Sequence, residues 1–120
     1  MSDYQLGTVE AKFADIIWEN EPLSSAKLAQ LSAETLSWKK STTYTVLKRL
    51  CDKGLFQNLK GTVTSLVSRQ EFYSLQSEKF VEETFNGSLP AFLAAFTSRK
   101  KLTAEEVSRL RRMVEEFEEG

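Results

Sequence analysis

The chain has 120 residues, 41% apolar and 28% charged, with 16 basic and 17 acidic side chains for a net charge of −1. It contains no histidine and one cysteine, Cys51, which excludes an internal disulfide, a standard zinc site and the Ser-His-Asp or Cys-His pairs of nucleophilic enzymes. It has no GxGxxG or GxxxxGK[ST] phosphate loop, no Asp-rich calcium loop, and no apolar run near the roughly 18 residues of a bilayer-spanning helix. The expectation is therefore a non-enzyme without cofactor, metal or membrane insertion. The opening MSDYQLG lacks a basic stretch followed by an apolar run, so no secretory signal is expected and the setting is read as cytoplasmic.

Residues 1 to 5 read as a loose tail. The spacing of Val9, Phe13, Ile16 and Ile17, with Trp18 beside them, predicts a helix over about 8–19. Gly7 stands at its N-cap, and Glu10 is placed to reach back to the cap amide. Pro22 ends that segment and Ser24 opens the next helix, about 25–35, with Leu28, Ala29 and Leu31 inward. A third helix is predicted from near Lys40 to Lys53, stopped by Gly54.

Two short runs then flank Lys60-Gly61: Leu55 to Leu59 and Thr62 to Val67. Both are rich in apolar and β-branched residues and read as a β-hairpin. Ser68 to Glu71 has the Ser-x-x-Glu form of a capping box and opens a long helix to about Phe85. Asn86-Gly87 breaks it, and Ser88 caps a further helix to about Ser98. Arg99-Lys100-Lys101 forms a polar link. Thr103 to Glu106 is a second capping box, and the last helix runs to about Glu118.

Three short helices followed by a hairpin make the winged helix-turn-helix pattern. The expected fold class is mostly α with a small β-hairpin: a winged helix-turn-helix domain over residues 1–67, then a C-terminal helical dimerisation region over 68–120. From Trp38 to Lys60 there are six basic residues, Lys39, Lys40, Lys48, Arg49, Lys53 and Lys60, against one acid, Asp52. The C-terminus is acidic at Glu115, Glu116, Glu118 and Glu119. A local basic patch on an otherwise acidic chain is the electrostatic footprint of a nucleic-acid face.

The third helix carries that patch. Thr43, Val46, Leu47 and Leu50 share one face and are expected to pack inward. Lys40, Ser41, Tyr44, Thr45 and Lys48 occupy the other face, with Thr42 and Arg49 on its flanks. Hydroxyls can exchange hydrogen bonds with base edges or phosphates, and Lys and Arg release counterions from the backbone. The candidate DNA-binding residues are Lys39, Lys40, Ser41, Thr42, Tyr44, Thr45, Lys48, Arg49 and, in the hairpin turn, Lys60. Cys51, next to Leu50, reads as a partly buried structural thiol.

The C-terminal helices carry more large apolar groups than three short helices can hide in themselves. Phe85, Leu89, Phe92, Leu93, Phe96, Val107, Leu110, Met113, Val114 and Phe117 are the candidate dimerisation residues, with a second copy of the chain as the expected partner.

Several stretches resemble the penicillinase-repressor family of winged-helix transcriptional regulators. Leu6 to Trp18, with Glu10 and the Ile16-Ile17-Trp18-Glu19 ending, is similar to that family's first helix. Trp38, then Ser41 to Leu50 and Lys53-Gly54-Leu55, resemble its recognition helix and stop. Phe85 to Leu89 and Leu102 to Val107 with Leu110 resemble its dimerisation region. The resemblance implies a homodimeric repressor that binds double-stranded, inverted-repeat operator DNA through the third helix, with the wing on the backbone. In sensor-coupled members, proteolysis in the C-terminal region releases the repressor, which implies a sensor-coupled protease as a further partner. The corresponding peptide here is Ala95-Phe96, where members often have Asn-Phe. Copper-responsive members end in a cysteine-rich motif that this chain lacks. The wing is shorter than usual and keeps only Lys60 of its cations, and Tyr44 stands where arginine is common. These departures leave open the alternative of a winged-helix protein-interaction module that does not bind DNA.

Overall fold

The computed structural model describes residues 5–120; of the tail expected at residues 1 to 5, residues 1–4 lie outside the described residues. The described elements run α1 (Thr8–Asn20), β1 (Leu23–Ser24), α2 (Ser25–Leu36), α3 (Lys40–Asp52), β2 (Phe56–Leu59), β3 (Thr62–Ser65), α4 (Arg69–Phe85), α5 (Leu89–Thr97) and α6 (Ala104–Glu119). The class is the expected one, a winged helix followed by C-terminal helices. The hairpin, however, is part of a three-stranded antiparallel sheet of order β1-β3-β2. The chain divides into two compact units, Met1–Ser77 and Glu78–Gly120, so the division falls inside α4.

In the first unit, α1 begins with the Gly7 N–H donating to Glu10 Oε1 at 3.3 Å. Its inward face is Phe13, Ala14, Ile16 and Ile17. Val9, expected on that face, is instead 49% exposed. The first turn of α1 overhangs the edge of the core, and Leu6 packs there in its place. Ser24 Oγ accepts the Lys27 N–H at 3.0 Å and caps α2, a device whose removal typically costs about 1 kcal/mol.

The end of α3 is a Schellman turn. Gly54, at φ +86°, donates to the Cys51 carbonyl at 2.9 Å, and the Leu55 N–H to the Leu50 carbonyl at 3.1 Å. Only glycine enters that left-handed conformation without strain from a Cβ. The turn drives Leu55 into the core, where it is fully buried, and aims the chain into β2. Strands β2 and β3 pair Phe56 with Ser65 and Leu59 with Thr62. Lys60 and Gly61 join them at φ +53° and +85°, the doubly left-handed turn that matches strand twist.

Strand β1 pairs Leu23 with Val63 and Ser24 with Thr62. The Ser25 N–H then donates to the Gly61 carbonyl at 2.8 Å, tying the hairpin turn to the start of α2.

The core joins these elements through Phe13, Ile17, Leu28, Leu50, Leu55, Phe56 and Val63, all essentially inaccessible to solvent. Trp18 closes one end. Its ring lies 5.3 Å from Phe56 and 5.4 Å from Phe72 of α4, centroid to centroid, and its Nε1–H donates to the Val67 carbonyl at 3.0 Å. Arg69 holds the same corner, with Nε 3.1 Å from Asp15 Oδ1, Nη2 3.3 Å from Glu19 Oε1, and the guanidinium 5.9 Å from the Trp18 ring centroid. The first turns of α4 therefore belong to the first unit.

In the second unit, α4 ends at Asn86 and Gly87, both at positive φ. Ser88 Oγ caps α5 by accepting the Ala91 N–H at 3.1 Å. At the start of α6 the expected capping box is complete: Thr103 Oγ1 accepts the Glu106 N–H at 3.0 Å, and the Thr103 N–H donates to Glu106 Oε1 at 2.9 Å. Those bonds hold the Glu106 carboxyl below its usual range.

Both tryptophans pack against the core of the first unit, so their fluorescence reports its unfolding. Phe56→Ala removes a ring 1% exposed that touches Trp18, and is expected to cost about 3–5 kcal/mol. Urea unfolding followed by tryptophan emission checks this; a loss under about 1 kcal/mol would show that the Phe56 site collapses without a cavity.

Candidate nucleic-acid interface

The interface candidate is the outer face of α3. Its inner face is fixed by Thr43, Val46, Leu47 and Leu50, all buried, as the 3–4 residue spacing dictates. That leaves Lys39, Lys40, Ser41, Thr42, Tyr44, Thr45, Lys48 and Arg49 exposed together, and Lys60 exposed in the hairpin turn. Tyr44 is 36% exposed, with Lys40 Nζ 6.0 Å from its ring centroid. Thr45 Oγ1 donates to the Ser41 carbonyl at 2.9 Å, which commits its proton and leaves the oxygen able to accept. Beside them, Tyr44, Leu47, Lys48, Cys51 and Asn58 line a surface cavity of about 350 Å³ between α3 and β2.

Charge is distributed unevenly along α3. At its N-terminal end, Lys39 is the N-cap residue without a side-chain cap, Lys40 follows, and the first turn has no acid. Cations there oppose the helix dipole, so this end is locally frustrated in the isolated unit. Toward the other end the cations are matched. Lys48 Nζ lies 3.5 Å from Asp52 Oδ2, both side chains well exposed, an arrangement worth little. Arg49 Nη1 donates to Glu10 Oε2 of α1 at 3.1 Å, and Lys53 Nζ to the Gln5 carbonyl at 3.0 Å. In sequence Glu10 stands out only as a helix-cap partner, and its contact with Arg49, 39 positions away, has no local signal.

Cys51 is half-buried. Burial, and secondarily the neighbouring Asp52 charge, push its thiol pKa up, which keeps it protonated and poorly nucleophilic. Among the described residues no group of three or more His, Cys, Asp or Glu side chains could hold a metal, and no helix is long and apolar enough to cross a membrane.

In the second unit, no side chain of α5 or α6 is buried. Phe80, Phe85 and Phe92 make mutual edge-to-face contacts at 5.6–6.0 Å, and Phe92 meets Phe96 at 6.0 Å. Beyond that cluster an apolar groove of about 310 Å³ is lined by Phe92, Leu93, Phe96, Leu102, Leu110 and Met113, with Glu106 and Arg109 also on its walls. Leu89 is 58% exposed, Val114 58% and Phe117 82%, which leaves a contiguous stretch of large apolar side chains facing solvent.

A third helix held by its apolar face, with cations and hydroxyls outward and a hairpin directly after it, defines a winged helix-turn-helix protein of the transcription-regulator class. The chain belongs to the penicillinase repressor family, whose model matches residues 6–116. A penicillinase repressor of Bacillus licheniformis is 25% identical over 116 residues, spanning 93% of this chain and 91% of that protein. The family is one of transcriptional repressors and is not enzymatic.

The raised thiol pKa of Cys51 has a direct readout. Its alkylation near pH 8 is expected to run well below that of a free cysteine, and to speed up as pH rises or as the chain is unfolded in urea. A rate in the folded protein equal to that of a small-molecule thiol would contradict the burial.

Proposed function

We propose that this chain is a repressor that binds an inverted-repeat operator as a homodimer, one α3 in each major groove. Residues 1–67 serve as the DNA-binding domain and 68–120 as the dimerisation region. The observation that carries the reading is the N-terminal end of α3. Lys39 and Lys40 stand there against the helix dipole, with Ser41, Thr42, Tyr44 and Thr45 exposed beside them. A phosphate backbone relieves that frustration, and the hydroxyls and the Tyr44 ring then meet base edges. Lys48 and Lys60 add backbone charge.

Each cation that meets a phosphate releases about one counterion, so Lys40→Ala and Lys48→Ala are each expected to flatten the log–log salt dependence of DNA binding by about one unit, on operator and random duplexes alike. Fluorescence anisotropy across a salt series measures it. An unchanged slope in both variants would remove α3 from the interface.

A single winged helix reads only a half-site, so operator affinity draws on dimerisation. The exposed Leu89, Phe96, Val107, Met113, Val114 and Phe117 of α5 and α6, together with the half-buried Phe85, Phe92, Leu93 and Leu110, suit a second copy. Burying one such side chain contributes about 1.5–3 kcal/mol. Placing aspartate at Leu110 and Phe117 together is expected to give a folded monomer with far weaker operator binding. Sedimentation velocity tests this, and a surviving dimer at full operator affinity would locate the interface elsewhere. A sensor-coupled protease acting near Ala95-Phe96, which in this chain lies on α5, completes the family reading of induction.

A further inference from the structure

The sequence groups Arg49 with the phosphate contacts, yet its guanidinium is engaged with α1. Both carboxylate oxygens of Glu10 are occupied: Oε1 accepts the Gly7 N–H at 3.3 Å, and Oε2 accepts Arg49 Nη1 at 3.1 Å. The Glu10 side chain is 22% exposed and that of Arg49 54%, so the pair is shielded on its protein side and screened less than two fully solvated groups. Beside it, Lys53 reaches the Gln5 carbonyl. The segment 5–10 therefore meets the C-terminal end of α3, where it engages Arg49 and the C-cap residue Lys53. Among the described residues, neither Lys39 nor Lys40 forms such an ion pair.

We infer that Glu10 is a specificity-determining residue. By holding Arg49 against α1 it keeps that guanidinium off the phosphate backbone and sets how α3 is seated, so Arg49 is a positioning residue. The inference rests on the proposed DNA-binding function. Its physical basis is that every cation free to meet phosphate strengthens binding to all sequences equally, and so raises competition from random DNA. A carboxylate that satisfies Arg49 within the protein removes that sequence-independent share while the pair anchors the base-reading helix.

The test uses the full chain and two probes: a duplex selected by this protein from random DNA, and a scrambled duplex of the same length and composition. Glu10→Gln is near-isosteric and can still accept the Gly7 N–H, so the start of α1 is kept. It is expected to steepen the log–log salt slope by about one unit on both probes, tighten scrambled-DNA binding several-fold, and narrow the ratio between the probes. Arg49→Ala is expected to leave the slope as in the wild type while narrowing the same ratio, because α3 loses the polar contact that adjusts its position against α1. A slope that flattens by about one unit in Arg49→Ala overturns the inference, because Arg49 would then already meet a phosphate. A slope unmoved in Glu10→Gln overturns it as well, and that reading stands even where Arg49→Ala loosens the fold. Lys40→Ala separates the two levels. If it too leaves the slope unmoved, the DNA-binding reading of α3 fails, and the role of Glu10 fails with it; if it flattens the slope, only the Glu10–Arg49 outcomes decide.

Discussion

Everything in the first unit turns on the need to bury one face of α3 completely while leaving the other untouched. Val46, Leu47 and Leu50 close against a core that includes Phe13, Ile17 and Leu28. Thr43, at the same depth, lets the helices approach closely at that level. A helix seated this way has little freedom to rotate about its own axis, because a turn of even one residue would lift Leu50 into water and lower Tyr44 or Lys48 into the core. The outward array of hydroxyls and cations is thus held by apolar contacts on its far side. The Schellman turn extends that hold: Leu55 is buried by the same stroke that ends the helix, so the end of α3 and the start of the hairpin are anchored in one core.

The two units spend their apolar residues differently. The first encloses a core of large side chains such as Phe13, Ile17, Leu28 and Phe56, and Trp18 is covered by Phe56, Phe72 and the Arg69 guanidinium. The second has comparable apolar content and no buried position in α5 or α6. Its aromatic rings make edge contacts with one another, but a nine-residue α5 and a single α6 offer too little surface to cover them. Short elements raise the ratio of surface to volume, so a unit of this size leaves a larger share of its apolar side chains in contact with water.

Most of the architecture was legible because its signals are local. Gly54 as a helix stop, Ser24 and Ser88 as caps and the Thr103–Glu106 box each act within a few residues, and each stands where the spacing placed it. The buried face of α3 followed from periodicity alone, and so did the exposure of its candidate contacts. What escaped was non-local. Strand β1 is two residues long, too short for an alternating pattern, and exists only because Leu23 finds Val63 forty positions later. The Glu10–Arg49 pair has the same character. Val9 fits the stripe of α1, yet helical spacing does not say where a core ends. The start of α4 reads as the opening of a new region, but Phe72 is drawn back beneath Trp18 by a contact that no pattern within α4 announces.

The sheet limits how this wing can vary. At its base the Leu55 carbonyl takes the N–H groups of both Leu66 and Val67, at 2.8 and 3.2 Å, and at its tip the Gly61 carbonyl is taken by Ser25. A residue added at the base would swap the faces of a strand and expel Phe56 or Val63 from the core. Growth is open at the turn, where a longer loop or added residue pairs leave Phe56 and Val63 in place, and lengthening there carries the tip away from its tie to Ser25. Each added pair extends the reach of the wing by about 3.4 Å, and this chain stands at the length where the tip is still moored.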